Sequence, residues 1–276
     1  MKLKKHIALL VVFGMVLSCA TNPFTGKKTM AFVSNADLFP MSFQQYNQVK
    51  TDSKIITGTK DAEMITRVGQ RISVAAERWL DANNFQGYLK DYKWEYILIE
   101  SDQVNAWCMP GGKIAFYTGI LPIARNETGV AAIMGHEVAH ALANHGQQRM
   151  SSSMLQQLGA GAVAVATTKE SVENQQLWMQ AYGAASTLGG TLPFSRAHET
   201  EADKIGLYLM AVAGYNPDEA AELWKRMKAN SGSGAPPEFL STHPSNDSRI
   251  ATLQELAPVA KEEARKFGVT SFRPIN

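Results

Sequence analysis

Cysteine is nearly absent: Cys19 and Cys108 are the only two in 276 residues, so at most one bridge can form and no disulfide scaffold holds the fold. An excess of one charge is lacking too. Lys and Arg number 27 against 25 Asp and Glu, a formal net of +2, which offers little to a polyanion. No uncharged apolar run approaches the roughly twenty residues that span a bilayer, and no segment repeats. What the chain does have is 45% hydrophobic residues, enough for one domain with a sizeable core. Histidine, with six copies, is rare enough for its positions to carry information.

Two of the six stand four apart in His136-Glu137-Val138-Ala139-His140. On a helix that spacing aims both imidazoles from one face, where they can grip a single metal ion. Zinc suits these donors: it is borderline-soft, indifferent to geometry, and hydrolytic when three protein ligands leave a fourth place for water. Glu137 lies about 100° around the helix from His136, so its carboxylate can reach that water as a general base without binding the ion. The flanks support a helix. Asn126 reads as its N-cap, Gly129 to Asn144 contains no proline, and Gly146 reads as the C-terminal stop. Val130, Ala131, Ile133, Met134, Val138, Ala141 and Leu142 would bury much of it. The alternative, a core helix with two incidental histidines, would desolvate two rings and a carboxylate without compensation.

A third ligand decides the class. Metzincins need glycine at 143 and histidine at 146, where Ala143 and Gly146 stand, so that class is rejected. His145, about 140° from His140 on a continuing helix, reads as structural. The other option is a carboxylate from a second helix, and Glu199 and Asp203 are one turn apart in His198-Glu199-Thr200-Glu201-Ala202-Asp203. Glu199 can then bind zinc while Asp203 accepts the second ring N–H of a ligand histidine. Glu201, about 200° around from Glu199, faces solvent or a salt bridge. His198 and Glu201 are the fallback ligands.

Alternating and apolar positions predict a strand over Lys93 to Glu100, buried on both faces. A second runs through Val104 to Met109, and Pro110-Gly111-Gly112 turns it into a return strand over Lys113 to Thr118. Helical spacing recurs over Asp61 to Leu80, Thr200 to Ala213 and Pro217 to Met227. Two Gly/Ala-rich runs, Leu158 to Thr167 and Ala181 to Leu192, are too short to span a bilayer. They read as closely packed helices in preference to a membrane-touching hairpin.

Four blocks taken together resemble the gluzincin-type metallopeptidase family forty-eight, which holds the CAAX prenyl endopeptidases and the HtpX-, Oma- and BepA-type proteases. The blocks are Asn105 to Gly112, His136 to His140, Glu199 to Asp203, and Ser241-Thr242-His243-Pro244 with Arg249-Ile250. The resemblance covers about residues 35 to 255. It implies an α+β, zincin-like domain, mainly helical, with a small β-sheet whose edge strand borders the cleft. It also implies one zinc ion per chain held by His136, His140 and Glu199, with Asp203 and Arg249 supporting them. Asn105, Ala106 and Trp107 become substrate-binding candidates, because the free edge of such a strand can pair with an extended peptide; an ordinary edge strand with a core tryptophan is the competing reading. His243, after the Ser/Gly/Pro-rich loop Ala229 to Pro237, has two opposed roles: it stabilises the oxyanion, or it fills the open zinc position and holds the enzyme off. A surface-turn histidine, and an ion-pairing role for Arg249, are the plain alternatives.

The start of the chain concerns location. Lys2, Lys4 and Lys5 precede the apolar stretch Ile7 to Leu17, and Ser18-Cys19 closes it, which reads as a signal peptide over 1–18. Val16-Leu17-Ser18-Cys19 resembles a bacterial lipobox, which implies lipidation of Cys19; a plain secretory signal is the alternative. Ala20 is not the aspartate that retains such proteins at the inner membrane in enteric bacteria, so outer-membrane attachment facing the periplasm is expected. Loss of 1–18 removes three lysines and moves the formal charge from +2 to −1, which weakens any nucleic-acid role further. With Cys19 acylated, Cys108 has no partner and reads as an inert buried thiol.

The expected organisation is a signal peptide (1–18), an anchored linker (19–34), the metallopeptidase domain (35–268) and an irregular tail (269–276), without the helical-repeat domain that some periplasmic relatives append. The expected activity is endoproteolysis of unfolded or misassembled envelope proteins, in protein quality control. Two rivals are a non-proteolytic chaperone on the same scaffold and a metal-dependent cell-wall amide hydrolase.

Overall fold

A computed structural model describes residues 19–230 and 237–275. The signal segment 1–18 and most of the Ser/Gly/Pro loop lie outside the described residues. In chain order the elements are β1 (Cys19–Thr21), β2 (Lys28–Met30), α1 (Asn35–Asp52), β3 (Ile55–Ile56), α2 (Lys60–Ala82), β4 (Glu95–Ile99), β5 (Ala106–Met109), β6 (Lys113–Tyr117), α3 (Leu121–Ala124), α4 (Glu127–Leu142), α5 (His145–Ala166), α6 (Val172–Ser186), a π-helical turn (Thr187–Thr191), α7 (Leu192–Val212), α8 (Asp218–Ala229), α9 (Glu238–Thr242) and α10 (Asp247–Arg265).

Helix α4 is the axis of the core. From Thr128 to Leu142 every residue is buried, as befits a segment apolar around its whole circumference. The Asn126 side chain accepts from Gly129 N and starts it. Helix α7 crosses α4 at a pair of glycines. A Cβ on Gly206 would lie 2.9 Å from His136 N, and one on Gly135 would lie 2.8 Å from Gly206 O. This close approach brings Glu199 and Asp203 of α7 over the histidines of α4. Gly206→Val would force the helices apart; we expect a cost of about 1–3 kcal/mol together with loss of bound metal, read by thermal melting and metal content. A variant that melts and binds metal like the parent would contradict this role.

The sheet order is β3-β4-β6-β5, with β4 and β6 parallel and the other pairs antiparallel. The turn between β5 and β6 uses Gly111 (φ 83°) and Gly112 (φ 88°), a region open to glycine and strained for other residues. Strand β5 therefore lies at the sheet edge, next to α4. Helix α2 closes the opposite side of α4, burying Ile65, Val68, Ile72, Ala76 and Leu80 at helical spacing.

Four expectations need correction. Helix α4 does not run on to Gly146. It ends at Leu142, Asn144 takes the left-handed conformation (φ 56°), and α5 begins at His145; asparagine tolerates that conformation, and its Nδ2 donates to Tyr88 Oη at 2.8 Å. The segment 19–34 is more than a linker. β1 and β2 pair as a hairpin, anchored where Phe24 stacks on Trp79 with ring centroids 4.3 Å apart. Helix α7 starts eight residues earlier than expected, because Pro193 suits a first helical turn. Finally, the two Gly/Ala-rich runs pack on each other within α5, α6 and the π turn, but α6 has no buried residue. Residues 269–275 form no helix and dock on the domain: Arg273 N donates to Gly214 O at 3.0 Å.

Candidate metal centre

Four side chains offer donor atoms that all lie within 4.8 Å of one another: His136, His140, Glu199 and His243, all buried. His136 Nε2 and His140 Nε2 are 3.1 Å apart. Each is 3.3 Å from a Glu199 carboxylate oxygen. His243 Nδ1 completes the cluster, 3.1 Å from His136 Nε2 and 3.0 Å from Glu199 Oε2. Ligands at zinc–nitrogen distances of 2.0–2.1 Å in a tetrahedron stand roughly 3.3 Å apart, so the spacing fits a zinc ion.

The ring nitrogens that face away from the cluster explain why a cation belongs inside it. Asp203 Oδ1 is 3.0 Å from His136 Nδ1, and a carboxylate accepts only, so that nitrogen carries the proton. His145 Nε2 lies 2.8 Å from Glu201 Oε2 and donates for the same reason. Neutral His145 then has a lone pair at Nδ1, which accepts from His140 Nδ1, 2.8 Å away. Both His136 and His140 are left presenting Nε2 lone pairs to each other and to a carboxylate. A metal cation seated among them satisfies all of them at once, and a proton on His136 Nε2 is the alternative in its absence.

Each histidine thus has its own chain of support. Arg249 forks onto Asp203 at 2.8 and 2.7 Å, stands 3.2 Å from Glu199, and lies over the Trp224 ring at 3.6 Å. Burial works against the charged form of Asp203, but Arg249 and His136 overcome it and hold the carboxyl below its usual range. Burial likewise opposes charge on His136, and hydrogen bonds to Asp203 and Glu199 lift it to about 9. In His140, burial dominates and pushes the ring well below its ordinary value. For Glu199 the three histidines outweigh burial and hold it ionised.

Glu137 is buried, with Oε1 unpartnered and 3.4 Å from His243 Nε2. It stands beside the cluster and outside its donor set. On the Glu199 flank an open cleft of about 470 Å³ is lined by Leu192, Ser195, Glu199, Asp203, Asn246 and Arg249 among others. On the other flank runs β5. Ala106 is buried, while Asn105 and Trp107 are half-buried; Asn105 O accepts from Tyr117 N at 3.1 Å. Trp107 stands edge-on to Tyr46 with centroids 6.0 Å apart and donates to Tyr117 Oη at 3.3 Å. Burial pushes the Cys108 thiol well up, so it stays protonated.

The fallback ligands are outside the cluster. His198 stacks on His145 with centroids 4.0 Å apart and reaches Gln148 Oε1 at 3.1 Å; burial takes it down to about 3. The His145–Glu201 link behind His140 escaped sequence reasoning, which ran α4 through Asn144. The usable signal was asparagine itself, a residue that stops helices in the left-handed conformation. His145→Phe should weaken metal affinity about 10- to 100-fold, measured by competition with a chromogenic chelator; an unchanged affinity would make His145 packing only.

A helix carrying His-Glu-x-x-His, crossed by a second helix bearing a carboxylate ligand and flanked by an edge strand, defines the zinc metallopeptidase class. The model of peptidase family M48 matches residues 67–257, and the chain belongs to that family. It is 38% identical over 174 residues to the mitochondrial metalloendopeptidase OMA1 of Schizosaccharomyces pombe, covering 63% of this chain and 49% of that protein. Against the mitochondrial metalloendopeptidase OMA1 of Bos taurus the identity is 27% over 246 residues, 87% of this chain and 46% of the relative. Against the beta-barrel assembly-enhancing protease of Escherichia coli K12 it is 24% over 297 residues, 99% and 57%. The chain spans about half the length of the curated relatives it matches.

Proposed function

We propose that this chain is a zinc endopeptidase acting on unfolded or misassembled proteins of the bacterial cell envelope, in protein quality control. The observation that carries the reading is the convergence of His136, His140 and Glu199 beside a buried Glu137 whose Oε1 accepts no hydrogen bond and faces His243 Nε2 at 3.4 Å. Zinc held there supplies a Lewis acid for the scissile carbonyl. Glu137 Oε1 takes a proton from the attacking water and returns it to the leaving amine. Asp203, gripped by Arg249, and His145, gripped by Glu201, keep the two ligand rings in the tautomer that presents Nε2. The free edge of β5 near Asn105, Ala106 and Trp107 aligns an extended peptide by main-chain pairing.

Attachment to the membrane through a lipidated Cys19, on an outer membrane facing the periplasm, completes this reading. Its support is the Val16-Leu17-Ser18-Cys19 segment and the beta-barrel assembly named for the E. coli relative. One observation favours a latent form of the same enzyme: His243 Nδ1 lies 3.1 Å from His136 Nε2 and 3.0 Å from Glu199 Oε2, where it would serve as a fourth ligand in place of water or substrate. The test is to purify the protein, measure bound zinc, and follow casein cleavage. Zinc-loaded protein that leaves casein intact but digests muropeptides would redirect the function to cell-wall amides.

A further inference from the structure

Of the fourteen exposed large hydrophobic side chains among the described residues, nine lie between Met154 and Leu192. They are ordered. On α5, Met154, Leu158 and Val165 recur at helical spacing, and on α6 and its extension Leu177 and Leu188 do the same. Leu158 is 62% exposed, Leu177 62%, Trp178 58% and Leu188 69%. From Met150 to Ser195 the only charged residues are Lys169, Glu170 and Glu173, at the hairpin tip.

The inner face of the hairpin is the reverse of a water-soluble one. Gly159 sits against Tyr182, where any Cβ would collide with its hydroxyl. Tyr182 Oη donates to Gln156 O at 3.0 Å, and Gln156 Nε2 donates to Ser186 Oγ at 2.9 Å. Small and polar groups between the helices, with large apolar groups outside, is the arrangement of helices packed in lipid. A protein partner would call for a polar rim and paired charges around an apolar centre, and both outward faces are uncharged.

We propose that the α5–α6 hairpin is a membrane-contacting element whose outward apolar side chains lie in the interfacial layer of a lipid bilayer. Among the described residues, no helix is long and apolar enough to cross a membrane. The part of α5 that leaves the domain, residues 152–166, measures about 22 Å, short of the roughly 30 Å hydrocarbon core. Lys169, Glu170 and Glu173 at the tip resist deep insertion, so the hairpin lies along the surface. Cys19 enters at its root: β1 pairs with β2, and Phe32 N, just after β2, donates to Ser151 Oγ of α5 at 3.1 Å. The contact does not require Cys19 to be acylated, and its readout is separate from membrane attachment as such.

The test uses the full chain with vesicles of phosphatidylethanolamine and phosphatidylglycerol, part of whose acyl chains are brominated. Of the five tryptophans, Trp178 is the exposed one; Trp79 and Trp224 are buried, and Trp94 and Trp107 half-buried. We expect wild-type emission to be quenched by bromolipid, the quench to vanish in Trp178→Phe, and neither to depend on salt. Replacing Leu177 or Leu188 by Gln should weaken vesicle contact about tenfold for each leucine. Equal quenching in wild type and Trp178→Phe would overturn the proposal. So would Trp178 shielding that rises with protein concentration in the absence of vesicles, which would assign the face to a second copy.

Discussion

Glu137→Gln keeps its metal and loses peptide cleavage by about a thousandfold, a typical loss when a general base is removed. The glutamine fills the same space in α4, and Glu137 is not among the clustered donors, so zinc content stays at one per chain. What disappears is a buried oxygen able to accept a proton: Oε1 has no hydrogen-bond partner. Burying a carboxylate oxygen that accepts no hydrogen bond is costly, and α4 retains it 3.4 Å from His243 Nε2. The check pairs metal content with casein cleavage by the same preparation. Cleavage at the parental rate by a zinc-loaded Glu137→Gln protein would remove the proposed chemistry.

His243→Ala raises cleavage. His243 Nδ1 lies within 3.1 Å of both His136 Nε2 and the Glu199 carboxylate, which makes it a fourth candidate donor of the cluster. On the proposed latent reading, a ring so placed acts as a closed gate. It follows α9, a helix of only five residues, and stands at its C-cap, so opening requires movement of a short segment. A closed form favoured by about 1.4 kcal/mol leaves only about one molecule in ten competent, and deletion of the ring then gives about a tenfold gain. Steady-state cleavage with metal content held equal reads the change. A fall in activity at unchanged zinc would make His243 a catalytic contributor to oxyanion stabilisation instead.

The metal helix was legible because its determinants are local. Asn126 caps it, its interior lacks breakers, and four-residue spacing aligns His136 with His140. The Glu199–Asp203 pair was legible for the same reason, one turn on a helix. The β5–β6 hairpin announced itself through Pro110-Gly111-Gly112. The remainder depends on contacts distant in sequence. One left-handed residue, Asn144, turns the chain back so that His145 meets His140 instead of facing away. The assignment of Arg249 to Asp203 needs α10 laid against α7, and the seat of His243 needs α9 folded over the cleft. The orientation of the α5–α6 stripes was hidden differently. An apolar face at helical spacing has the same pattern whether it turns into a core or away from one, and composition alone favoured the core.

The route of the chain between the second and third ligands leaves room for variation. His140 and Glu199 are separated by the whole α5–α6 excursion, yet His140 Nε2 and Glu199 Oε1 meet at 3.3 Å, where a shared zinc ion would tie its two ends at one point. The entropy of closing such a loop grows only logarithmically, about 0.6 kcal/mol for each doubling in length. The catalytic geometry is therefore nearly indifferent to what is threaded between its ligands. Natural variation can lengthen, shorten or repaint that arm for a new surface while the chemistry beneath it stays as it is.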